Sequence, residues 1–168
     1  MNIDTFKNIF ILILLVLVQG LLLNHIHLFG YATPLLAVYF ILRFPRNNPK
    51  WANLLWSFTL GIGIDMFGNT PGLNTTSLTF IGMFQPYVLS IFLNRESAED
   101  LKPSPATLGW NKFLLYATIL TLTYTFLLFT FEAFNFFNPI PWILSIVGSF
   151  ILTIILIAAT ENLSSNLS

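Results

Sequence analysis

The chain has 168 residues, of which 55% are hydrophobic and only 8% are Asp, Glu, Lys or Arg, with a mean hydropathy of +0.77 and zero formal net charge. A water-soluble domain carries about 25% charged residues, so these totals leave room for one membrane domain and no soluble lobe, and zero net charge supplies no basic field to gather nucleic acid. Cysteine is absent, which removes disulfides, iron–sulfur clusters and thiolate zinc sites.

The seven basic and seven acidic residues divide the chain into pieces without charge at 8–42, 51–64, 66–94, 113–131 and 133–160. A helix needs about 20 mainly apolar residues to cross the hydrocarbon layer, and a backbone in lipid must satisfy its own polar groups. The expected fold is therefore all-α: a polytopic membrane protein, a six-transmembrane-helix bundle filling 1–168. Met-Asn-Ile-Asp-Thr-Phe-Lys at the start leads into an apolar run without a small-residue cleavage pattern. It reads as a retained first helix.

In chain order, the first predicted span covers 6–23. Asn24, His25, His27, Gly30 and Pro34 interrupt the apolar run, and a second span follows at 31–44. Pro45-Arg46-Asn47-Asn48-Pro49 breaks the chain before a third span at 51–67. Gly68-Asn69-Thr70-Pro71-Gly72 breaks it again before a fourth at 74–93. The polar stretch 94–111, whose Pro103-Ser104-Pro105 favours an extended path, precedes a fifth span at 112–131. A turn at 135–141 leads to the sixth, 142–160, and a short polar tail.

Six crossings place Lys7, Arg43, Arg46, Lys50, Arg95, Lys102 and Lys112 all on one side. Cytoplasmic loops carry the Lys/Arg excess, so both termini are expected in the cytoplasm. The span at 31–44 is short for a full crossing, and a re-entrant path is the alternative.

Asp65 is the residue least suited to lipid. Ser57, Gly61 and Asp65 recur every four residues and so share one helical stripe; small residues at this spacing let a neighbouring helix come close. Its carboxylate is expected at the outer end of the third span, facing the bundle. There it either anchors backbone amides of the 68–72 turn and the start of the next helix, or serves a ligand, proton or partner. His25, His27 and Glu132 fall on the same side, without metal-ligand spacing, and read as interfacial residues beside the aromatic belt at 134–137. Gln19 and Gly20 mark the first span, and Gln85 beside Pro86 marks a kink in the fourth; the stripe Thr118, Thr121 and Thr125 and the stripe Ser145, Ser149 and Thr153 with Gly148 read as packing seams, within the bundle or against a partner helix.

No His-Glu-x-x-His, Gly-x-Ser-x-Gly or phosphate-cradling Gly-rich loop is present, and no pair of groups is spaced to divide proton-transfer roles. The expectation is a protein without catalysis, metal or cofactor.

Pro34 opening the second span, Phe44-Pro45 closing it, Gly61-x-Gly63-x-Asp65, and Gly72 followed by Thr75, Thr76, Ser77 and Leu78 together resemble the rod shape-determining protein MreD family of bacterial inner-membrane proteins. The likeness in hydropathy covers most of the chain. It implies a non-enzymatic scaffold of the cell-elongation (rod) complex that binds the single-pass protein MreC. Through MreC such a scaffold joins actin-like MreB filaments to the elongation transpeptidase and its glycosyltransferase partner, helping to position peptidoglycan synthesis and control cell shape. Ser57, Gly61, Gly63, Asp65 and Gly72 are then the structural or partner-binding candidates. That family is also similar in fold to substrate-binding membrane components of vitamin-type transporters. A small-molecule pocket near Asp65, lined also by His25 and His27 and open to the outside, is accordingly the alternative function.

Overall fold

The structure, a computed structural model, describes residues 3–23, 31–93, 100–133 and 139–167, with 3–5 and 165–167 described by backbone alone. Among these residues there are seven α-helices and no strand: α1 (Ile3–Leu17), continued by a π-helical turn at Val18–Leu22, α2 (Ala37–Leu42), α3 (Lys50–Gly68), α4 (Leu73–Phe92), α5 (Pro105–Leu108), α6 (Trp110–Glu132) and α7 (Pro139–Leu167). By length and composition two of them, Trp110–Glu132 and Pro139–Ser164, suffice to cross a membrane. The apolar helix Phe6–Leu22 is shorter. Helices α3 and α4 have 19 and 20 residues but carry the polar side chains that line the interior.

Packing follows the order α1, α3, α4, α6, α7, each helix against the next, with segment 31–44 enclosed among them. Helices α3 and α4 run antiparallel, since Asp65 at the end of one meets Asn74 at the start of the other and Asn53 near the start of α3 meets Gln85 far along α4. The turn between them uses two left-handed residues, Asn69 (φ 51°) and Gly72 (φ 84°). Only a residue that tolerates αL closes a helix this tightly, which is why Asn and Gly stand there. The core is apolar in the middle of the helices, with Leu60, Ile64, Leu78, Ile81, Ala117 and Leu120 buried.

Segment 31–44 departs from the expected helix. Only Ala37–Leu42 is helical, about 9 Å at 1.5 Å per residue. Thr33 N–H donates to Ser149 Oγ at 2.9 Å and Leu35 N–H to Thr153 Oγ1 at 3.1 Å. Ser149 and Thr153 are one helical turn apart, about 6 Å, and two residues of chain cover that distance only when extended. Pro34 accounts for the change: it offers no N–H and pushes Thr33 out of the helical region. The extended piece is tolerated because side chains serve its backbone. Pro34 O accepts from Gln19 Nε2 at 2.9 Å, and Ala32 lies so close to Gly148 that a Cβ there would stand 3.0 Å from the Ala32 Cβ. Leu35, Ala37, Val38, Ile41 and Leu42 are all 1% exposed or less, so the segment is the centre of the bundle.

Smaller corrections concern helix ends. The last helix starts at Pro139 and runs through the expected polar tail to Leu167, and a short helix with a Ser104–Thr107 capping box occupies part of the stretch expected to be extended. Helix α4 continues through Pro86.

Candidate functional site

Asp65 is 8% exposed and accepts five hydrogen bonds. Oδ1 takes Thr70 Oγ1 at 2.9 Å and both the backbone N–H and Nδ2 of Asn74 at 3.0 Å. Oδ2 takes the backbone N–H of Thr75 at 2.9 Å and its hydroxyl at 2.6 Å. The first N–H groups of α4 have no partner within their own helix, and a carboxylate at a helix N-terminus meets both those donors and the positive end of the helix dipole. Asp65 thus caps α4 from the neighbouring helix, since Gly72 at the N-cap position has no side chain to do so. Tyr124 on α6 donates its hydroxyl to Asn74 Oδ1 at 2.9 Å, so the cluster fastens three helices.

A second polar cluster lies toward the other end. Asn48 Nδ2 donates to Asn53 Oδ1 at 3.0 Å, and Asn53 Nδ2 to Gln85 Oε1 at 3.2 Å. Gln85 Nε2 donates to Tyr116 Oη at 2.9 Å and Phe44 O at 3.2 Å, and Tyr116 donates to Leu42 O at 3.1 Å. Those two carbonyls close the C-terminal end of α2, where Pro45 prevents continuation. Beside them Arg43 Nη1 reaches Glu161 Oε1 at 2.7 Å, and Tyr39 donates its hydroxyl to the same oxygen at 2.9 Å.

The sequence candidates are distributed between two packing faces. Ser57, Gly61 and Asp65 face α4: a Cβ on Gly61 would run into the backbone of Thr75, and one on Gly82 into Ser57. Gly63 faces α1, where a Cβ would stand 2.7 Å from Val16 Cγ2. Gly72 is exposed, and its positive φ explains it. Ser57 and Gly61, structural or partner-binding candidates by sequence, are enclosed by this chain's own α4, because the two backbones meet there. Thr121, Thr125, Ser149 and Thr153 are likewise buried within the bundle. Glu132 is exposed at the end of α6, and His25, His27 and 134–137 lie outside the described residues.

The Arg43–Glu161 pair was not foreseen. The signal was available: each of these charges ends a long uncharged run, and the expected topology puts both at the same end. No group of three or more His, Asp or Glu side chains among the described residues is placed to hold a metal ion. A cleft of about 140 Å³ opens between Pro45–Arg46 and the last turns of α4, away from the Asp65 end. Comparison of the chain with protein-family models, curated proteins and solved structures gave no match.

Proposed function

We propose that this chain is a multi-pass protein of the bacterial cytoplasmic membrane, a scaffold of the cell-elongation machinery that docks an MreC-type single-pass protein. One observation carries the reading. Most polar side chains of the interior are held by hydrogen bonds within the chain, whereas the outward faces of the helices are apolar: Phe6, Phe10, Leu55, Met66, Ile91, Leu115, Ile143 and Ile155 are each more than half exposed. Such a surface suits lipid and the helices of other membrane proteins, which associate by packing. Six crossings with both termini inside are supported by segment 31–44. It follows α7 from Ser149 to Glu161, about 18 Å, running parallel to it as two outside-to-inside passages must. The Gly61-x-Gly63-x-Asp65 resemblance supplies the identity of the machinery.

The small-molecule alternative has less support, because Asp65 is saturated by its own chain and the described cleft lies at the other end. Ligand pockets usually enclose about 300–1,000 Å³, well above the 140 Å³ here. The test is affinity purification from native membranes in mild detergent. Retention of an MreC-type protein, lost on replacing that partner's transmembrane helix, is expected; its absence at wild-type expression, with the bundle intact, overturns the proposal.

A further inference from the structure

We draw no further inference here: the strongest candidate, the outward apolar ridge of α7 formed by Ile143, Val147, Ile151 and Ile155, carries nothing, because lipid and a partner helix would suit it equally and nothing in the structure shows what covers it.

Discussion

Arg43 Nη1 stands 2.7 Å from Glu161 Oε1, joining the end of the central broken segment to the last long helix. Glu161 is 4% exposed and the Arg43 side chain 36%, so loss of either partner has unequal consequences. Arg43→Ala leaves a buried carboxylate uncompensated, and we expect a loss of about 2 kcal/mol, below the 3–5 of a fully buried pair because water already reaches the arginine. Glu161→Ala should cost less, since Arg43 can turn outward. The double variant Arg43→Met, Glu161→Met should recover most of the loss, and thermal unfolding in detergent over the four-variant cycle measures the coupling.

Gly61→Ala should be among the most damaging single-methyl changes, because the new Cβ meets the Thr75 backbone rather than a side chain that can move. Overpacking of this kind costs about 1–3 kcal/mol. Gly72→Ala meets nothing within 4 Å and carries only the left-handed backbone penalty, about 1–2 kcal/mol. Yield of monodisperse protein and melting temperature should both rank Gly61→Ala below Gly72→Ala, and the reverse order would show that α3 and α4 do not meet at this point.

Asp65→Asn keeps the shape of the side chain and loses one acceptor oxygen. Its new amide must face a donor of Asn74 or Thr75, and we expect about 2 kcal/mol of destabilisation, typical of hydrogen bonds to a charged group. Tyr124→Phe removes a single neutral bond to Asn74 and should cost about 1 kcal/mol. Chemical denaturation in mixed micelles checks both.

Much of this architecture was legible in the sequence. The 68–72 break, the stripe of Ser57, Gly61 and Asp65, and the seam at Ser149 and Thr153 follow from spacing and residue size, because a small side chain every fourth residue has one physical use in a packed helix. The form of 31–44 was not legible. Apolar residues read equally as a crossing helix or as buried extended chain, and the choice depends on Gln19, Ser149 and Thr153, far away in sequence, supplying the hydrogen bonds a helix would have made for itself. Tyr116 and Tyr124 escaped for a related reason: in a run so rich in aromatics nothing local distinguishes a tyrosine whose hydroxyl closes a network from one on the outer surface.

Ser149→Ala and Thr153→Val test that dependence. Each strands one backbone N–H of the extended piece, which costs about 1–3 kcal/mol when no replacement is near. Hydrogen exchange should become faster at Thr33 in the first variant and at Leu35 in the second, with little change in the middle of α6. Uniform acceleration throughout the bundle would mean that the two hydroxyls hold the whole fold rather than this segment.

The absence of cysteine makes single introduced thiols clean reporters of which side of the bilayer a residue faces, and that is the most direct test of the bundle's placement. Lys7→Cys, Asn47→Cys, Asn69→Cys and Ala106→Cys, each at an exposed position, would be treated in intact cells with a membrane-impermeant maleimide. Six crossings with both termini inside predict labelling of Asn69→Cys alone from outside, the other three reacting only after the membrane is opened. Labelling of Asn47→Cys and Asn69→Cys from the same side, or of Lys7→Cys from outside, would contradict that topology.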